Sequence, residues 1–306
     1  MYSFSARTNR YGSGGYGHYP ALHTTAHAHR ASYTIAVELF DRVNAIIKDV
    51  IATVVMPSFR SLRPEDITSK DTPGDPDDLV TIVDKAAERY LIKALGNVVA
   101  GAVFIGEEGV AENPSLLASL SAAAPAWLID PIDGTKNFAQ GHPDFGVMLA
   151  LVESGRTRAS WMAVPAASPS GYTVVAEHGG GTRIDGRRIE AARPTRSMPR
   201  GTVHTRMMPS ESARDVVARL RNRYEPYAST GAAATEYSAI VRGEKDFVIY
   251  YRLLPWDHAP GTLAVTEAGG AAVHLDGSQY APLSPNQVTI VAASPELAER
   301  IRAWLT

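Results

Sequence analysis

The chain has 306 residues, a formal net charge of −2 and no cysteine. Disulfides and thiolate metal sites are therefore excluded, and any metal must be held by carboxylate, histidine or carbonyl groups. An apolar share of 45% with 20% charged residues is an ordinary globular balance, with no basic footprint for nucleic acid and no apolar run approaching the ~20 residues of a membrane span.

Residues 1–32 are rich in Gly, Ser, Tyr, His and Arg, and no acidic residue precedes Glu38. They lack the apolar h-region of a secretory signal. The acid-free start resembles an organelle transit peptide but has no clear amphipathic helix, so a flexible tail, disordered or loosely docked, is the expectation. His18, His23, His27 and His29 lie in it without the regular spacing or acidic neighbours of a metal site.

Ala36, Val37, Phe40, Val43, Ile46, Ile47, Val50 and Ile51 recur at helical spacing and predict a helix over 33–57, with Pro57 at its end. A Pro- and Asp-rich loop follows from Asp71 to Asp78, then a helix from Asp84 to Leu95. Val99 to Ile105 reads as a short strand that stops at Gly106-Glu107-Glu108-Gly109.

The next apolar strand, Ala126 to Ile129, ends on Asp130, and Pro131-Ile132-Asp133-Gly134-Thr135 follows. Side chains alternate along a strand, so carboxylates at i and i+3 would point apart. Pro131 is expected to end the ladder and bend the chain, and Gly134 to permit a tight turn. Asp130 and Asp133 would then aim at one place, beside the Thr135 hydroxyl and a run of backbone N–H groups.

Phe145–Val152, Arg158–Val164, Tyr172–Ala176 and Thr182–Ile184 read as strands of an antiparallel sheet, with Asp185-Gly186 as a hairpin turn. Thereafter strands and helices alternate. The strands are Thr202–Thr205, Glu225–Ala228, Phe247–Tyr250 and Val288–Ala292; the helices are Ser210–Asn222, Gly231–Val241, Asp257–Ala268 and Pro295–Trp304. That order implies βαβ units and a sheet covered on both faces.

Four apolar runs end on acids: at Asp84, at Glu107 and Glu108, at Asp130 and Asp133, and at Asp257. Singly, Asp84 or Asp257 could be a helix cap. Together they would raise one another's pKa unless cations neutralised them. Two or three Mg²⁺ ions, which prefer oxygen ligands, answer that cost and suit in-line displacement at phosphorus. Gly134 and Thr135, opening a short helix, would offer amides to the phosphate.

Trp127 to Phe138, Gly106-Glu107-Glu108, Asp78-Leu79-Val80-Thr81 with Asp84, and Trp256-Asp257 with Glu267-Ala268-Gly269-Gly270 resemble the inositol monophosphatase family of Mg²⁺-dependent, lithium-sensitive phosphomonoesterases. The resemblance covers about residues 35 to 306. It implies an α-β-α-β-α layered sandwich of two subdomains, about 33–190 and 191–306, and a cytoplasmic homodimer acting on a small phosphorylated metabolite. By the same resemblance, Glu107, Asp130 and the carbonyl of Ile132 look like ligands of one metal; Asp130, Asp133 and Asp257 of a second; and Asp84 with Glu107 of a third through waters. Thr135, working with Glu107 or Asp84, is similar to the residue orienting the attacking water. Gly134 and Thr135 would bind the phosphate, and Gly231, Ala232 and Ala233 would lie beside the leaving group.

One position departs from the family. Where an acid contacts inositol hydroxyls, seven residues before Asp257, this chain has Tyr250, and a phenol cannot accept two hydroxyls as a carboxylate does. Arg252 nearby suits a second anionic group or pairs with Glu244 or Asp246. Histidinol phosphate, fructose bisphosphate and 3′-phosphoadenosine 5′-phosphate stand beside inositol phosphate as substrate classes. His258 reads as a general acid or as a packed histidine, Lys136 as a solvated or salt-bridged side chain, and His142 with Asp144 as turn chemistry.

Overall fold

The computed structural model describes residues 38–306 except 71, 73, 74, 76, 77, 122, 169 and 192–195. The expected tail with its four histidines lies outside the described residues. Contacts divide the chain into Met1–Asp41 and Arg42–Thr306, and all the sheets belong to the second unit. Residues 38–50 form helix α1, which widens into a π-helical segment, Ile51–Val55, before α2, Met56–Ser58. No helix among the described residues is long and apolar enough to cross a membrane.

A two-stranded ladder joins β1 (Ile67–Ser69) to β2 (Leu79–Thr81) around the Pro/Asp-rich loop. Helix α3 (Ile82–Leu95) starts two residues before the sequence suggests, because Thr81 and Asp84 close a capping box. The large sheet has seven strands in the order β3 to β9: Val103–Gly106, Ala126–Asp133, Gly146–Glu153, Arg156–Val164, Tyr172–Glu177, Gly181–Ile184 and Arg187–Ile189. β3 and β4 are parallel; every later pair is antiparallel. The last hairpin turns at Asp185 (φ 48°) and Gly186 (φ 81°) as the sequence predicts.

A second sheet of five strands runs in the order β11-β10-β12-β14-β13. Its members are β10 (Arg200–Val203), β11 (Glu225–Pro226), β12 (Phe247–Tyr250), β13 (Ala271–His274) and β14 (Thr289–Ala292). Only the β10 pairings are parallel; β12, β14 and β13 are antiparallel. The alternation therefore yields a mixed sheet. It also hides β13, a four-residue run between Gly269-Gly270 and Asp276-Gly277 that is too short to show a period.

Helices α7 (Ala233–Val241) and α8 (Pro255–Glu267) lie between the sheets. Tyr237, Ile240, Leu263 and Ala264 share one apolar cluster with Met148, Met162 and Val174 of the large sheet and with Val248 and Val291 of the small one. The outer face of the small sheet, Phe247, Ile249, Ile290 and Ala292, is covered by α6 (Ser210–Leu220) and α9 (Pro295–Leu305) through Val216, Leu220, Leu297 and Ile301. Leu128 of β4 packs with Trp256 and Ala259 of α8, so Trp127 and Ile129 face the opposite side, where α3 lies against β4. The layers are thus α-β-α-β-α.

Candidate active site

The cleft of about 460 Å³ that gathers the acids is lined by Glu107, Asp130, Ile132, Asp133, Gly134, Thr135 and Asp257, with Asp75, Asp78, Lys136, Asn137, Arg206, Ser229, Thr230, Gly231 and Arg252 around them. A second cavity of about 530 Å³, near Gly155 and Tyr280, has Glu267 as its carboxylate. The amides of Gly179 and Gly181 already engage that side chain.

The acids converge through a bulge rather than a strand end. β4 continues to Asp133; Asp130 pairs with Met148 and Asp133 with Gly146, so three steps on β4 match two on β5. The extra residue cancels one alternation and turns Asp130 and Asp133 to one face. Pro131, which has no N–H for the ladder, sits inside that irregularity. Gly134 then takes φ +79°, where a Cβ would come within 2.8 Å of Ala232, and α5 (Thr135–Ala139) begins.

The Thr135 hydroxyl lies 2.9 Å from Asp84 Oδ1 and 3.0 Å from the Ile132 carbonyl, both acceptors. Asp84 also accepts the Thr81 amide at 2.9 Å and the Thr81 hydroxyl. It is therefore both the helix cap and the partner of Thr135, the two readings the sequence leaves open. Burial pushes Asp84 up to about 6, with the Thr81 hydrogen bonds working against that rise.

Glu107 opens α4 (Glu107–Glu112) directly after β3. The turn is held from behind by Glu88, on the same face of α3 as Asp84, which accepts the amides of Glu108 and Gly109, each at 2.9 Å. Gly106 leaves room for that carboxylate: a Cβ there would stand 2.3 Å from it. Lys70 places its ammonium 2.7 Å from both Glu107 Oε1 and Glu108 Oε1. Burial opposes its charge, but the two carboxylates outweigh burial and raise its pKa. Glu108 rises to about 7, chiefly through burial.

Burial, then the charge on Glu107, raises Asp130 and Asp257 well above the usual carboxylate range. Asp257 is in hydrogen-bonding reach of Asp130, and the buried Asp130 Oδ1 has no protein partner. Burial lifts Asp133 to about 7 against two backbone hydrogen bonds. An all-oxygen donor set at this electrostatic cost fits hard divalent cations. Among the described residues no three His, Cys, Asp or Glu side chains are grouped so as to hold a metal ion as they stand; the Lys70 ammonium offsets part of the charge of Glu107 and Glu108.

Asp133 has a second role. Its Oδ1 accepts the Ala233 amide at 2.9 Å and its Oδ2 the Ala234 amide at 2.7 Å, capping α7 from a hundred residues away. The Ala233 amide is taken by Asp133, Ala232 is buried, and Gly231 alone of the three lines the cleft. Asn137 fixes that loop by donating to the carbonyls of Asp144 (2.6 Å) and Thr230 (2.8 Å). Glu236 accepts the Thr230 amide at 2.6 Å and pairs with buried Lys245.

Tyr250 is not part of the cleft wall. Its ring is buried, stacked on His204 at 4.8 Å and close to Tyr237 and His258; a phenol carries enough apolar surface to pack inward where a carboxylate could not. His258 meets the Tyr237 hydroxyl at 2.7 Å through Nδ1, and burial lowers its pKa to about 3, so it is the packed histidine. Arg252 pairs with Asp75 rather than with Glu244 or Asp246. Lys136 is exposed and lines the cleft; His142 and Asp144 make a local turn contact. Lys70, Asp75, Glu88 and Asn137 escape the sequence reading. Only Glu88, four residues after Asp84 on one helix face, carries a local signal.

The inositol monophosphatase family profile matches residues 37–305. A Thermotoga maritima protein described as fructose-1,6-bisphosphatase/inositol-1-monophosphatase is 30% identical over 209 residues, which is 68% of this chain and 76% of that one. The Bacillus subtilis inositol-1-monophosphatase is 27% identical over 240 residues, 76% of this chain and 84% of its own length. A solved Thermotoga maritima IMPase superposes with a TM-score of 0.70 at 24% identity, covering 90% of this chain and 96% of that one. The matched profile spans both sheets and every acid of the cleft, and the chain belongs to the inositol monophosphatase family, whose members are phosphoric monoester hydrolases.

Proposed function

We propose that the protein is a Mg²⁺-dependent, lithium-sensitive phosphatase that releases phosphate from a small phosphorylated metabolite by attack of water. The observation that carries this reading is the convergence of Glu107, Asp130, Asp133 and Asp257 on one cleft, with the Thr135 hydroxyl fixed beside them by Asp84. Glu107, Asp130 and the Ile132 carbonyl would hold one ion, Asp130, Asp133 and Asp257 a second, and Asp84 with Glu107 a third through waters. Ions bound there lower the pKa of a coordinated water and offset charge on the leaving oxygen.

The chain's own groups do the rest. Thr135, with its proton held toward Asp84 and the Ile132 carbonyl, presents its oxygen lone pairs to orient a water. Asp84, at about 6 in the ion-free protein, is poised to accept the proton that water gives up. The amides of Gly134 and Thr135 would receive the phosphate, and the Ser229–Gly231 loop, held by Asn137, would border the leaving group. Residues 33–190 and 191–306 are read as two subdomains of one unit, and a cytoplasmic homodimer as its setting.

Release of inorganic phosphate from a panel of phosphomonoesters tests the reading. Activity should require Mg²⁺, vanish in chelator and fall with Li⁺. Full turnover in chelator would refute it. Light scattering in solution and cell fractionation check the dimer and its compartment.

A further inference from the structure

A buried ion pair lies behind the loop that borders the cleft. Lys245, in the turn that leads from α7 to β12, has 0% of its side chain exposed; its partner Glu236, on the first turn of α7, has 1%. Ammonium and carboxylate are in direct contact. Burial pulls the Lys245 pKa down, and Glu236 opposes that fall. The desolvation of two charges commonly outweighs their attraction, and an apolar pair of similar volume often serves stability as well or better. The pair therefore calls for a role that an apolar pair could not fill.

Its contacts supply one. Glu236 Oε1 accepts the Thr230 amide at 2.6 Å and the Thr230 hydroxyl at 3.2 Å, while Oε2 takes Lys245. The Lys245 ammonium lies 4.9 Å from the centre of the Tyr227 ring, close enough for a cation–π contact. His204 Nε2 stands 4.0 Å from Oε2. The pair thus grips the segment 227–231 at Tyr227 and at Thr230. Asn137 holds the same segment from the other side, through the Thr230 carbonyl at 2.8 Å. Ser229, Thr230 and Gly231 line the cleft, whereas Glu236 and Lys245 do not.

We propose that Glu236 and Lys245 are positioning residues, which hold the Ser229–Gly231 loop in the shape that meets the alcohol part of the substrate. The inference rests on the phosphatase reading and goes beyond it. A loosened loop weakens recognition of the alcohol and leaves phosphate cleavage itself in place.

An apolar replacement tests it. Glu236→Leu combined with Lys245→Met should fold with at least wild-type stability, since no lone charge is left in the core. With Mg²⁺ present, its KM for the best sugar or polyol phosphate of a panel should rise about tenfold. Phenyl phosphate, whose leaving group carries no further hydroxyl, should keep its kcat/KM within about twofold; it also reports any effect on Asp133 of losing the nearby Glu236 charge. Glu236→Gln combined with Lys245→Met restores an acceptor for the Thr230 amide and should recover most of the KM. A folded apolar variant with unchanged KM, or with an equal loss on both substrates, would overturn the proposal. Amide hydrogen exchange gives a second readout. In the wild type the Thr230 amide should exchange at least about tenfold more slowly than an unstructured amide, and the apolar variant should lose that protection. Unprotected exchange in the wild type overturns the proposal even if no variant folds. If no phosphomonoester is hydrolysed, the phosphatase reading fails separately; Thr230 exchange then supports or overturns the gripped loop by itself.

Discussion

The two sheets contribute to the cleft in different ways. The seven-stranded sheet supplies the chemistry from rigid backbone: Asp130 and Asp133 sit on a bulge in a fully buried strand, and Thr135 is one turn further on. The five-stranded sheet supplies Asp257 from the start of α8; its other contributions, Arg206, Ser229 to Gly231 and Arg252, come from loops. Reactive groups must be held closely, and a strand bulge does that; groups that choose a substrate can differ between relatives, and loops permit it. The halves share the apolar layer of α7 and α8, and at the cleft itself Asp133, Asn137 and Asp75 tie them together.

The sharpest way to break the comparison is at its rigid side. Asp130→Asn should lower kcat at least about 10³-fold on every substrate, near the upper end of the loss from removing one stabilising group, as read by phosphate release. Thr135→Val comes next, with a roughly 10²-fold loss in kcat and little change in KM, because orientation of the attacking water is lost while binding groups stay. Asn137→Ala tests the junction. It deletes two hydrogen bonds to the carbonyls of Asp144 and Thr230, and should raise KM by about tenfold, from a loss of ~1–2 kcal/mol, with kcat less affected.

The electrostatic cost of the rigid side has its own signature. In chelator, Asp133 and Glu108 titrate near 7 in the folded protein, against an ordinary value near 4. An acid raised on folding opposes stability above its folded pKa, and that penalty is relieved as pH falls through it. The ion-free protein should therefore gain about 1 kcal/mol between pH 8 and pH 6.5, measured by denaturant unfolding. Below 6.5 buried His258, held near 3, acts oppositely, because the unfolded chain takes up a proton that the folded one refuses. With Mg²⁺ present the gain should disappear, since protons then compete with the ions. The smallest effect is expected at Tyr250→Phe. Its hydroxyl is buried without a partner, so removal should leave kcat/KM within about twofold and stability unchanged or higher by up to ~1 kcal/mol.

The same contrast explains what could be read in advance. Asp84, Glu107, Asp130, Asp133 and Asp257 each follow or end an apolar run, a pattern visible along a few residues. The direction of Asp130 and Asp133 was also legible, but for a different cause: Pro131 shifts the register inside the strand and does not end it. Strand β13 and the mixed order of the small sheet were hidden because pairing partners are set by packing across long separations. Lys70, Asp75 and Asn137 carry no local pattern at all; each acquires a role only from a partner brought in by the fold. For Tyr250, spacing fixes where the backbone lies and says little about which way a large aromatic packs.

Asp133 also bears on the order of synthesis. Both its oxygens are engaged by amides a hundred residues downstream, and Asp257 follows later still. A ribosome that has released only the first sheet holds a chain with Asp130 and Thr135 already made and the fourth acid of the cleft still missing. Until α7 is in place the Asp133 carboxylate lacks its two amide donors and relies on water for its hydrogen bonds. The constellation is complete only with α7 and α8 against the large sheet, and a truncated product that stops short of residue 257 cannot assemble it.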